Sequence, residues 1–165
     1  MHAPALRIWI DRALLRRLAV EADAARPDET GGVLLGHRNG RDIVIRAVVD
    51  AGPRAQRWPT GMRPDADYQA AEVEAAFAAS DGAITYLGDW HSHPGTLSVP
   101  SRRDRKTLRN IATDDEAQCQ EPLMLIVGGD DHAWEPAAWT GCLGRLGRWG
   151  PLMVHEQGIR LFGEL

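Results

Sequence analysis

Apolar positions along the chain change their period several times, and each change predicts an element. Leu6 to Ile10 alternates as a short strand. Asp11 then caps a helix in which Leu14, Leu15, Leu18, Ala22 and Ala25 recur at helical spacing, and Pro27 ends it. Two apolar runs, Gly32 to His37 and Asp42 to Val49, are joined by Arg38-Asn39-Gly40 and predict a β-hairpin. Ala51 to Pro64 holds Pro53, Pro59 and Pro64 and no regular period, so it predicts a long loop of the kind that binds ligands. A helix follows over Asp67 to Ala79, with Val73 and Phe77 on one side. Ala83 to His93 reads as a strand, Ser101 to Ala112 as a helix, and Leu123 to Val127 and Ala133 to Thr140 as strands. Past Gly141 glycines punctuate the chain until a last short strand at Ile159 to Phe162. This order predicts an α/β fold: a mixed, largely antiparallel β-sheet flanked by helices, forming one domain over residues 1–165.

Composition narrows the classes. At 165 residues the chain has room for one core and not two. Nineteen basic against 23 acidic residues leave a net charge of −4, which gives no electrostatic basis for a nucleic-acid partner. Lys106 is the single lysine among the basic residues, a skew that fits coding bias better than mechanism. Cys119 and Cys142 form no C-x-x-C pair, so neither a disulfide framework nor a four-thiolate zinc site is available, as expected in a reducing compartment. The opening residues lack the order of a signal peptide, and no apolar run nears the roughly 20 residues that cross a bilayer. The expectation is a cytoplasmic protein without membrane contact.

One segment carries chemistry. In Asp89-Trp90-His91-Ser92-His93-Pro94, strand alternation puts His91 and His93 on one face, where two imidazoles can share a metal. Pro94 then takes the chain out of the sheet, and a helix starting near Ser101 can bring the Asp104 carboxylate back to the pair. Two imidazoles and a carboxylate leave a fourth tetrahedral position for water, the layout of a catalytic zinc site. Each part also has a plainer reading. An isolated H-x-H is compatible with ordinary buried histidines, and Ser101 with Asp104 is also an S-x-x-D capping box. Asp89 shares the histidines' face, as an outer hydrogen-bond partner or a solvated strand end. Glu29, just before Thr30-Gly31-Gly32, is either a base for a bound water or an exposed loop acid. His2, His37, His132 and His155 fall in no ligand pattern.

Taken together, Glu29, His91-Ser92-His93-Pro94, Ser101 and Asp104 resemble the JAMM motif E…H-x-H-x7-S-x2-D of the MPN (JAB) metalloprotease family. The similarity extends over Glu29 to Gly36, the loop Gly52 to Pro64, the helix Tyr68 to Phe77 and Tyr86 to Pro94, as in the compact prokaryotic JAB group that accompanies ubiquitin-like systems. The resemblance implies an MPN/JAB, cytidine-deaminase-like architecture and a zinc metalloprotease of the isopeptidase or deubiquitinase-like type. It implies His91, His93 and Asp104 as Zn2+ ligands, Glu29 as general acid/base and Ser101 as stabiliser of the tetrahedral intermediate. The implied partners are the carboxyl-terminal tail of a ubiquitin-like protein and its conjugates, with E1-like and E2-like proteins of an antiviral conjugation system. Two alternatives stand beside it: a JAB peptidase that processes a sulfur-carrier protein, and a non-catalytic MPN scaffold. Substrate-binding residues are not identified; Trp58 and its neighbouring prolines are equally suited to holding an extended tail and to covering the core.

Overall fold

The computed structural model describes residues 5–164. The strands are β1 (Arg7–Asp11), β2 (Gly31–Asn39), β3 (Asp42–Val49), β4 (Gln56–Trp58), β5 (Gly61–Arg63), β6 (Thr85–Pro94), β7 (Leu123–Asp130), β8 (Ala133–Leu143) and β9 (Leu152–Phe162). The helices are α1 (Arg12–Ala25), α2 (Ala66–Ala79) and α3 (Arg102–Thr113), with one 3-10 turn at Gly147–Trp149.

The main sheet runs β1-β3-β2-β6-β7-β8-β9, and β9 also pairs with β1. Pairs β2–β3, β2–β6, β7–β8 and β8–β9 are antiparallel, whereas β1–β3, β1–β9 and β6–β7 are parallel. The mixed sheet with flanking helices is the fold class the sequence predicts. His2 lies outside the described residues. Among the described residues no helix is long and apolar enough to cross a membrane, and both cysteines are free.

Two differences from the sequence reading matter. The loop 51–64 contains the small antiparallel pair β4–β5, with Trp58 facing Gly61 in register. The glycine-punctuated tail becomes an eleven-residue strand from Leu152. It alternates intermediate and exposed positions and has no buried residue, so its apolar signal is weak; pairing on both sides, to β8 and β1, supplies what the pattern does not.

The sheet has two covered faces. On one, Ile8, Ile10, Leu34, Leu87, Trp90 and Leu125 pack with Leu18 and Ala22 of α1. On the other, Val33, Leu35 and Tyr86 meet Tyr68, Val73 and Ala76 of α2. Beside them Met124 and Ile126 meet Leu108 of α3. Each helix begins on a side-chain cap: Asp11 accepts from the Ala13 amide, Asp65 from Tyr68 and Ser101 from Asp104.

Strand β6 changes face midway. Leu34 pairs with Gly88 but Leu35 pairs with Tyr86, so Leu87 is an extra residue on β6. The bulge places Tyr86 on the face of Asp89, His91 and His93, while Leu87 and Trp90 enter the α1-side core. Gly88 permits it, with φ at 144° and no room for a Cβ, which would fall 1.8 Å from the Leu123 carbonyl oxygen.

Candidate metal centre

The two imidazoles converge. Nε2 of His91 and Nε2 of His93 are 3.0 Å apart. Asp104 adds Oδ1 at 3.2 Å from His91 Nε2 and Oδ2 at 3.3 Å from His93 Nε2. Ligands about 2.0–2.1 Å from a tetrahedral ion stand about 3.3 Å from each other, so each imidazole lies at ligand spacing from the other and from one carboxylate oxygen. His91, His93 and Asp104 are all buried.

The surroundings fix the donors. His93 Nδ1 lies 3.0 Å from the Leu97 carbonyl oxygen, which accepts only if Nδ1 carries the proton. In the neutral ring Nε2 then keeps its lone pair toward the cluster, and in the protonated ring Nε2 donates to Asp104. Burial alone would push the His93 imidazole down, but Asp104 and the Leu97 carbonyl outweigh it and hold it above its ordinary value. Burial would likewise raise Asp104; hydrogen bonds from His91 and His93 overcome this and hold the carboxyl well below the usual carboxylate range. Before any ion enters, the site is a carboxylate facing two imidazoles, a donor set that suits zinc.

Asp104 arrives through the geometry of a helix start. Its Oδ2 accepts the Ser101 amide at 2.7 Å, and Ser101 Oγ accepts the Asp104 amide at 3.2 Å, a complete capping box. The capping box and the approach of Asp104 to both histidines therefore coexist. Ser101 is exposed and reaches the cluster through Asp104.

Glu29 precedes β2, where Gly31 pairs across from His91. The Thr30 amide donates to Ser92 Oγ at 2.9 Å, and the Ser92 amide to the Thr30 carbonyl at 2.8 Å. These bonds bring residue 29 beside the H-S-H segment. Burial pushes the Glu29 carboxyl up, while His91 and His93 pull it down. Glu29, His91 and Asp104 share one cleft of about 250 Å³.

Other cleft residues escaped the sequence. Gly61, Met62 and Pro64 of the β5 segment line it, with Gln69, Thr107 and Met124. The signal for the first three was present as two short runs, Gln56-Arg57-Trp58 and Gly61-Met62-Arg63, separated by Pro59-Thr60. Asp89 also lines the cleft, but its partner is the Tyr86 hydroxyl at 2.9 Å and not a histidine. His132 bonds Asp23 at the β7–β8 turn. Arg109 of α3 donates to the carbonyls of Arg148 and Gly150 and so ties down the β8–β9 connection.

Comparison with known proteins agrees with the geometry. Residues 11–140 match the family described as prokaryotic homologs of the JAB domain. A probable metalloprotease, y4qB of Sinorhizobium fredii, is 34% identical over 140 residues, covering 84% of this chain and 85% of the relative. A CD-NTase/cGAS isopeptidase of Enterobacter hormaechei is 31% identical over 133 residues, covering 74% of this chain and 68% of the relative. The solution structure of protein DSY2949 from Desulfitobacterium hafniense superposes with a TM-score of 0.67 at 24% identity, covering 96% of this chain and 94% of that one, and shows the same fold. A match over most of the chain, with relatives at this identity, makes the protein a member of the prokaryotic JAB-domain family.

Proposed function

We propose that the protein is a zinc-dependent isopeptidase or peptidase that cleaves after the carboxyl terminus of a ubiquitin-like protein, in a bacterial conjugation system of antiviral type. The observation that carries this reading is the spacing of the His91, His93 and Asp104 donor atoms, with His91 and Asp104 lining one cleft together with Glu29. Relatives named as a metalloprotease and as isopeptidases support the hydrolytic class and the isopeptide bond.

His91, His93 and Asp104 would hold the ion. Zinc, when bound, supplies Lewis acidity that lowers the pKa of a coordinated water toward about 7. Glu29, in a half-buried position, accepts a proton from the attacking water and delivers it to the leaving amine. The Ser101 hydroxyl accepts the Asp104 amide through its lone pair, which leaves its O–H free to donate to the oxyanion of the tetrahedral intermediate. A lysine ε-amine and an α-amine leave by the same proton delivery, so the residues favour neither.

Zinc-loaded protein incubated with a ubiquitin-like protein fused through its carboxyl terminus to a lysine-bearing reporter tests this. The expected result is a single cut after the ubiquitin-like carboxyl terminus, lost on Glu29→Gln. Zinc bound at one equivalent without cleavage of any such fusion would overturn it. Cleavage confined to an amino-acid adduct of a sulfur-carrier protein would transfer the activity to carrier processing.

A further inference from the structure

Glu29 sits in the short connection between α1 and β2, and its backbone has an external anchor. The Glu29 amide donates to the Trp58 carbonyl across 3.0 Å. Trp58 is the last residue of β4, and its indole lies under the Arg103 guanidinium, with Cζ 5.3 Å from the ring centroid. Arg103 Nη1 also approaches the Thr60 carbonyl at 3.5 Å. The residue after Arg103 is Asp104, the carboxylate of the metal centre. Gly61 makes room for this contact: a Cβ there would fall 2.2 Å from Arg103 Nη1 and 2.9 Å from Trp58 Nε1. A second strut runs alongside, from Arg57 Nε to Thr30 Oγ1 at 3.1 Å.

These contacts form one path, from Glu29 through Trp58 and Arg103 to Asp104, spanning the cleft from the proton acceptor to the start of the ligand helix. A general base works only within hydrogen-bond reach of the proton it takes, and small misplacements are costly. A loop residue cannot secure that by itself.

We infer that Arg103 and Trp58 are positioning residues: their stacked pair locks the β4–β5 hairpin across the cleft and, through the Trp58 carbonyl, fixes Glu29 relative to the His91–His93–Asp104 cluster. A guanidinium over an aromatic face suits the task, since the ring attracts the cation while its N–H groups stay free for a carbonyl such as that of Thr60. The catalytic consequence rests on the role of Glu29 proposed above; the tether does not.

The test compares wild type with Arg103→Gln, Arg103→Lys and Gly61→Ala, the last displacing the guanidinium by crowding. Three quantities are read: amide hydrogen exchange at Glu29, trypsin cleavage after Arg57, and steady-state kinetics on the ubiquitin-like fusion. For Arg103→Gln and Gly61→Ala, losing the stacked pair should speed Glu29 exchange and Arg57 cleavage about tenfold and lower kcat about tenfold. KM and zinc affinity stay within about twofold, because neither variant removes a ligand. Arg103→Lys recovers part of each effect. Unchanged Glu29 exchange in Arg103→Gln overturns the inference. So does a rise in KM with kcat intact, which makes the hairpin a binding wall alone. If wild type leaves the fusion uncut while Arg103→Gln still releases the Glu29 amide, the substrate reading fails and the positioning role stands.

Discussion

One carboxylate oxygen of Asp104 serves two partners: Oδ2 accepts the Ser101 amide at 2.7 Å and stands 3.3 Å from His93 Nε2. Helix start and candidate metal centre are therefore built on the same atom. Ser101→Ala removes the cap acceptor and the proposed oxyanion donor together, and should cost about 1 kcal/mol of stability and about 10²–10³ in kcat. Ser101→Asn keeps a good cap and should retain the stability while losing the turnover. Chemical denaturation beside steady-state kinetics separates the two effects, and full activity in Ser101→Ala would reduce the serine to a cap.

The ligands and the base should part company under mutation. His91→Ala removes a donor and should lower zinc affinity by more than the about 10–100-fold typical of losing an outer partner of a ligand. Glu29→Gln should keep wild-type zinc content and lose about 10²–10⁴ in kcat. Metal analysis of the dialysed proteins checks the first, rates on the fusion the second. Equal zinc loss in both variants would remove Glu29 from the role of base.

Acid stability has a marked contributor far from the ligands. Hydrogen bonds from Arg54 to Asp65, at 2.9 and 3.0 Å, outweigh burial and hold the Asp65 carboxyl below its ordinary value. A carboxyl depressed in the folded state stabilises above its unfolded pKa, about 3.9, and that contribution is lost as pH falls through the folded value. Asp65→Asn keeps an acceptor for the Tyr68 amide but forfeits the charge. Its Tm should therefore fall less than that of wild type between pH 5 and the acid limit. Salt should shrink the difference, because Arg54 is exposed. Parallel Tm–pH curves for the two proteins would count against it.

Close backbone approach at the ligand strand gives a glycine contrast. A Cβ on Gly31 would sit 2.2 Å from the Trp90 carbonyl oxygen and 2.8 Å from the His91 Cβ. Gly31→Ala must push β2 from β6 beside a ligand, costing about 1–3 kcal/mol and loosening zinc. Gly40, in the β2–β3 turn with φ at 59°, has no atom near its Cβ position. Gly40→Ala should cost about 1–2 kcal/mol from backbone strain alone and leave zinc binding intact. Metal titration of both alanine variants decides it.

Much of this was legible in the residues. The helix of Leu14, Leu18 and Ala22, the hairpin around Gly40 and the exit at Pro94 follow from local spacing and breakers. The cluster of His91, His93 and Asp104 was legible because its members lie on consecutive elements, with strand alternation and one helical turn setting their directions. What stayed hidden depends on distant pairing. Nothing local to Met62 or Pro64 says that they roof the cleft, because β4 and β5 are three residues each and show no period. Nor does α3 show that Arg103, among several exposed basic residues, finds an indole 45 positions earlier in the chain. Strand β9 was legible only at Ile159 to Phe162 for the same reason: its neighbours, not its own pattern, make Leu152 to Gly158 a strand.

Leu87, the extra residue on β6, bears on what a motif can certify. Let Leu87 take a regular place in the ladder instead, and Glu29, His91, His93, Ser101 and Asp104 all survive with their spacings unchanged. Yet plain alternation from Tyr86 would then turn both imidazoles toward the side that now holds Trp90. Such a chain would read as complete to any pattern search and would be inert. Among relatives whose histidines, serine and aspartate all match, a glycine that can hold this bulge at the position of Gly88 is thus a second signature. It separates chains that can assemble the centre from those that only spell it.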